Sequence, residues 1–199
     1  MSVLVPFKAI RPKGEHVVKI ASRPYDVLNE VEALKASEGN PISCYHVIKP
    51  EIDFPLDHDH YAPEVYKKGA DNFKNLLTDG YMFRDETENF YVYQIIMDGH
   101  KQTGLVGCCA IDDYFNNIIK KHELTRPDKE EDRKNHVRYS RVNYEPVFFS
   151  YPHVNDIDAL VDQVKSSSDP VYDITTSDGI QHTLWVVSDE TTVGQITTL

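Results

Sequence analysis

Residues 90–97 read FYVYQIIM, an unbroken run of aromatic, β-branched and other strand-forming side chains. Asp98-Gly99-His100-Lys101 follows, and residues 102–111 return as a second run. Asp-Gly is the dipeptide that a tight hairpin turn selects, because both central residues need positive φ. A hairpin here commits the chain to a sheet with a buried face, since an isolated hairpin is barely stable in water. The turn also explains the triplet Asp98-Gly99-His100 structurally, so it is not read as a catalytic group.

The remaining pattern adds helices to that sheet. Asn29 with Glu32 has the capping-box spacing and opens a helix to about Ser37, which Gly39-Asn40-Pro41 stops. Pro63 suits the first turn of a helix over 64–77, with Ala70, Phe73, Leu76 and Leu77 on one face. Pro127 precedes a helix over 128–139 in which Val137 is nearly the only large aliphatic, so its outer face is wet or faces a ligand. Asn155 or Asp156 caps a helix to about Lys165, with Ile157, Leu160, Val161 and Val164 as its stripe. A second hairpin joins 171–176 to 181–187 around Ser177-Asp178-Gly179. Short strands are expected at 3–10 (an edge strand, holding Pro6), 17–20, 44–48 and 147–151. The string predicts an α+β (mixed α/β) fold, with β-hairpins and a mixed sheet flanked by several helices, in a single domain over 1–199.

Composition narrows the function classes. With 32 acidic against 21 basic residues the net charge is −11, a field that repels a phosphate backbone and argues against bulk nucleic-acid binding. The 12 Tyr and 8 Phe argue for a packed core. Cys44, Cys108 and Cys109 make neither a disulfide framework nor a zinc spacing, and no run is long and apolar enough for a leader or a membrane span. A reduced, cytoplasmic protein is expected. Cys108-Cys109 and Trp185 are expected in the core, and Tyr139, Tyr144 and Tyr151 as packing. Asp57-His58-Asp59-His60 has metal-ligating side chains at alternate positions, but a solvated loop before a helix is the stronger reading.

The richest chemistry lies in residues 104–141, where an apolar run opens into Asp112-Asp113 and then Lys120-Lys121-His122-Glu123-Leu124-Thr125-Arg126. Asp132, Arg133, His136, Arg138 and Arg141 follow. Phosphoryl transfer needs a positioned acceptor, a group to take its proton and cations for the phosphate oxygens. Glu123 can accept the proton, Arg126 and Arg133 can fork a phosphate, Thr125 can bond one, His122 can touch substrate, and Asp132 can share a Mg²⁺ ion. The plain alternative is a surface network in which Glu123, Arg126, Lys129 and Asp132 pair among themselves.

Lys19-Ile20-Ala21-Ser22-Arg23-Pro24-Tyr25-Asp26-Val27, Gly39-Asn40-Pro41 and His46-Val47-Ile48-Lys49-Pro50-Glu51-Ile52-Asp53 resemble the opening of the DUF1015 family. Tyr91-Val92-Tyr93, Gln102-Thr103-Gly104-Leu105, Lys121-His122-Glu123-Leu124-Thr125-Arg126 and Asp132-Arg133 continue the resemblance in order. Arg23 departs from the family, which more often has a second Pro there. The resemblance implies a chain equivalent to the N-terminal portion of a longer protein, ending before the family's Asp-Gly-His-His-Arg segment. That segment is similar to a motif of the ParB/sulfiredoxin superfamily, which includes free-serine kinases, and His122-Glu123 looks like the pair that activates the hydroxyl there.

These readings lead to one expectation and two rivals. The expectation is part of a phosphotransferase-like protein that uses ATP or ADP, with Mg²⁺, on a small hydroxylated metabolite of the serine or phosphoserine class. Glu123 would be catalytic, His122, Thr125, Arg126, Arg133 and Arg23 would bind substrate or phosphate, and Asp132 would hold the metal. The rivals are a non-enzymatic small-anion-binding or regulatory module, and a scaffold half that self-associates or takes a C-terminal partner segment.

Overall fold

A computed structural model describes residues 2–122 and 124–198. In chain order the elements are β1 (Leu4–Val5), β2 (Ile10–Pro12), α1 (Val17–Ile20), α2 (Glu30–Ala36), α3 (Tyr45–Ile48), α4 (Pro63–Thr78) and β3 (Met82–Arg84). They continue with β4 (Phe90–Met97), β5 (His100–Val106), β6 (Cys108–Cys109), α5 (Ile111–Phe115), α6 (Pro127–Ser140), α7 (Asn155–Ser167), β7 (Tyr172–Thr175), β8 (Gln181–Val187) and α8 (Glu190–Thr198). The class is α+β. The chain divides into two compact units, one of residues 1–14, 84–123 and 150–199, the other of residues 15–83 and 124–149.

The first unit is the sheet unit. Its main sheet has four strands in the order β5-β4-β8-β7, and where a mixed sheet was expected all three pairings are antiparallel. The central hairpin forms as its residues dictate. Asp98 and Gly99 take φ of 50° and 77°, and Met97 lies opposite His100. The pleat puts Phe90 and Val92 on the same face as Trp185 and Val187, because Val92 pairs with Trp185 and Phe90 with Val187. That face is closed by Val164 of α7 and Ile196 of α8, with Leu160, Val161 and Val193 around them. Gly107 is required here, since a Cβ would lie 2.8 Å from the Phe90 ring.

On the other face of the sheet, buried Asp85 receives Nε and a terminal nitrogen of Arg11 at 2.8–3.0 Å and the Tyr91 hydroxyl at 2.7 Å. The return strand is shorter than expected. It ends at Val106, Cys108–Cys109 pairs instead with β1, and Ile111 opens a helix. Both cysteines are exposed, which corrects their assignment to the core. Residues 147–151 form no strand, and Val147 and Phe148 are 68% and 76% exposed.

The second unit is helical. Asn29 caps α2 with the full reciprocal box, its side chain accepting from the Glu32 amide while Glu32 accepts from the Asn29 amide. Pro63 is the first residue of α4, and Asp79 with Gly80 (φ 76°) ends it. Two short apolar runs expected as strands are helices, α1 and α3. In α1, Val17 and Ile20 are buried while Val18 is 60% exposed, a spacing of three that a strand cannot give. Gly69 of α4 lets the helix approach α3, where a Cβ would meet the Val47 carbonyl at 2.8 Å.

Candidate functional site

Helix α6 starts on Pro127, carries Asp128 and Glu130 in its first turn and Arg138 in its last, and ends where Arg141 turns left-handed at φ 63°. These are ordinary helix signals. Its buried face is unusual: the two buried residues are Asp132 and His136, one turn apart, and its one aliphatic, Val137, is 44% exposed. The helix packs on α4 through polar and aromatic groups rather than an apolar stripe.

Asp132 is the hub. Its Oδ1 accepts the Tyr66 hydroxyl at 3.0 Å, and its Oδ2 accepts two Arg133 nitrogens at 2.7 and 3.2 Å. His136 Nε2 lies 3.8 Å from Oδ1, and the Tyr66 ring stands edge-on to the imidazole and stacks against Tyr139. Arg133 reaches the other way. Its guanidinium lies 3.8 Å from the centre of the Tyr25 ring, and its third nitrogen is 3.6 Å from Glu145, whose carboxylate accepts the Tyr25 amide. One cation thus ties α6 to the Arg23-Pro24-Tyr25 segment and to Glu145.

The electrostatics follow from burial. It lowers the His136 pKa to about 4, helped by the positive charges of Arg133 and Lys49 and opposed by Asp132, so the imidazole is neutral at pH 7. Burial, and then the Asp132 charge, raise the Tyr66 pKa far above the phenol value. Burial pushes Glu145 upward against the pull of Arg133, and it drives the Cys44 thiol up to about 11, so Cys44 is no thiolate nucleophile. Burial pushes the Tyr144 hydroxyl to about 12, against the pull of Ser140.

The expected site residues fall into separate groups. Asp132 and Arg133 belong to the hub, and Arg23 lies two residues from the Tyr25 ring that Arg133 covers, its own amide donating to the Tyr45 hydroxyl at 3.1 Å. Thr125 and Arg126 stand exposed at the head of α6, where Thr125 donates to Glu130 at 2.9 Å and Arg126 holds Asp128 at 2.7 Å. His122 is exposed and belongs to the sheet unit, while the chain enters the helical unit at Leu124. Glu123, the expected catalytic carboxylate, lies outside the described residues.

For a metal, both Asp132 oxygens are already committed. The Arg133 cation on Oδ2 and the burial of the group disfavour a Mg²⁺ ion at this carboxylate, so it fits the role expected of it poorly. Among the described residues no group of three or more His, Cys, Asp or Glu side chains is placed to hold a metal ion. In the 57–60 loop His58 lies 3.5 Å from Glu64 and His60 3.0 Å from Glu30.

Tyr66, Tyr25 and Glu145 complete the hub, and no local sequence pattern marks them as its partners. The usable signal was the absence of an apolar stripe on α6, since a helix without one must be buried through something else.

No helix among the described residues is long and apolar enough to cross a membrane. No curated protein matches the chain, and no solved structure does. The family described as a protein of unknown function (DUF1015) matches residues 4–199. With this match over nearly the whole length the chain belongs to the DUF1015 family.

Proposed function

We propose that this chain is a phosphate-binding domain of phosphotransferase-like type, working with ATP or ADP on a small hydroxylated metabolite of the serine or phosphoserine class. The observation that carries the binding half is the head of α6. Thr125 and Arg126 are exposed there and are engaged by carboxylates of the same helical turn, Glu130 and Asp128. Exposed ion pairs of this kind contribute little and exchange readily, so a phosphate can replace Asp128 in the Arg126 fork. The position at the start of a 14-residue helix favours an anion, and the Asp128 carboxylate, which accepts from the amides of Asp128 and Lys129 as well as from Arg126, already occupies that place.

The catalytic half is supported by likeness rather than geometry. His122-Glu123 resembles the pair of the ParB/sulfiredoxin-type kinases, in which the carboxylate takes the proton of the attacking hydroxyl. Arg23 and Arg133 are the further candidates for holding phosphate. No step is assigned to a metal, because Asp132 is engaged elsewhere.

One observation favours the non-catalytic form of the reading, a small-anion-binding or regulatory module. The most elaborate polar assembly of the helical unit spends its carboxylates on Arg133 and Tyr66 and leaves His136 neutral and buried.

Thermal shift against ATP, ADP, CTP, serine and phosphoserine, each with and without Mg²⁺, tests binding. A ligand at 100 times its Kd adds about 2.7 kcal/mol. Arg126→Ala should abolish the nucleotide shift, and a flat response to all of them rejects the phosphate reading. Turnover that Glu123→Gln abolishes while binding persists selects the enzyme, and binding without turnover in either protein selects the module. Light scattering tests the scaffold rival, for which a clean monomer is the adverse result.

A further inference from the structure

We infer that the outer face of α2 together with His46 forms a binding site for a small zwitterion of the amino-acid class. Val31, Leu34 and Lys35 share one face of α2, Glu38 follows in the turn after it, and together they border an open groove of roughly 700 Å³ that Pro41 and His46 also line.

His46 is held as an oriented hydrogen-bonding group. Its Nδ1 lies 2.6 Å from Asp53 Oδ1, with the two side chains 21% and 17% exposed. The Asn72 amide donates both to the second Asp53 oxygen at 2.8 Å and to the His46 carbonyl at 2.7 Å, and Lys68 lies 3.6 Å from the same oxygen. Burial alone would raise the Asp53 pKa, but the bonds from His46 and Asn72 and the nearby positive charges hold it below the ordinary carboxylate value. A carboxylate at Nδ1 fixes the orientation of the ring and leaves Nε2 available to a ligand. Nε2 has no hydrogen-bond partner among the described residues and is not buried. Tying α3 to α4 does not need that second nitrogen, because Asn72 already makes the link.

The charges of the groove set the ligand class. Lys35 and Glu38 make no ion pair or side-chain hydrogen bond among the described residues, and they are the one cation and one carboxylate of the lining. A lone cation would select an anion. A neighbouring pair of opposite sign matches a ligand whose carboxylate and ammonium sit on one carbon, with Val31, Leu34 and Pro41 along its stem and His46 Nε2 hydrogen-bonded to a side-chain hydroxyl. Neither Thr125 nor Arg126 lines this groove, so the inference does not rest on the phosphate reading.

The test is an NMR titration that follows the His46 imidazole with L-serine, L-alanine, glycolate and ethanolamine as probes. L-serine should give a saturable shift, and glycolate and ethanolamine should bind about tenfold more weakly, since each lacks one charge-assisted contact. Lys35→Ala, an exposed substitution, should weaken L-serine by a similar factor, and Asp53→Asn should erase the preference for L-serine over L-alanine. Arg126→Ala should leave L-serine unaffected. The inference is overturned if no probe gives a saturable shift, if Lys35→Ala binds L-serine as well as the native chain, or if Arg126→Ala weakens it equally.

Discussion

The apolar face of the four-stranded sheet and the inner face of α6 are buried by opposite means. Around β4 and β8 the buried face is Phe90, Val92, Trp185 and Val187, held by contact area and indifferent to direction. Around α6 the buried face is Asp132 and His136 against Tyr66, held by donors and acceptors that must meet in one arrangement. An apolar face can be covered by any side chain of suitable volume, whereas a carboxylate in that position needs named partners. The polar centre is therefore the more specific of the two and the more sensitive to pH.

Substitutions can separate these two modes. The largest loss is expected for Phe90→Ala, since the ring is completely buried, and should be about 3–5 kcal/mol in urea unfolding. Trp185, the one tryptophan, reports on that unit directly by fluorescence. Asp132→Ala should cost roughly 2–4 kcal/mol, because it strands the Tyr66 hydroxyl and the Arg133 guanidinium together. A loss no larger than that of an average surface substitution would show the hub to be unimportant for stability.

A pH series sharpens the contrast further. His136 binds its proton at about 4 when folded and near its ordinary value of about 6.5 when unfolded, so the unfolded chain takes up more protons between those values. Stability from this group is complete above the upper value and falls as pH drops toward 4, by roughly 3 kcal/mol at most. His136→Gln should remove that component, with Asp132, Arg133 and Lys49 left as the charged groups around the position. An unchanged profile in the variant would assign the acid sensitivity elsewhere. The smallest effect is expected from Asn29→Ala, about 1 kcal/mol, through loss of one half of the capping box.

Elements whose cause is local were legible in the sequence. The Asp98-Gly99 hairpin, the Asn29–Glu32 box, Pro63 and Pro127 at helix starts, and the stripe of Ile157, Leu160, Val161 and Val164 all follow from a residue's own backbone preference or from a period. The short apolar runs 17–20 and 44–48 were not legible, since four or five residues fit a strand or a buried helical turn equally well. The exposure of Cys108 and Cys109 was hidden for a related reason. Their strand pairs with Leu4–Val5, more than a hundred residues away in sequence.

The candidate sites divide along the same line. The sequence by itself determined the α+β class, the hairpins, the main helix boundaries and the family, because turn chemistry, caps and period act within a few residues. Only the tertiary structure decided that Asp132 faces Tyr66 and Arg133, that Thr125 and Arg126 stay at the surface, and that His46 is aligned by Asp53. Whether a carboxylate is a ligand, a clamp or a surface charge depends on which groups the fold brings within about 3 Å of it, and no local preference encodes that distance.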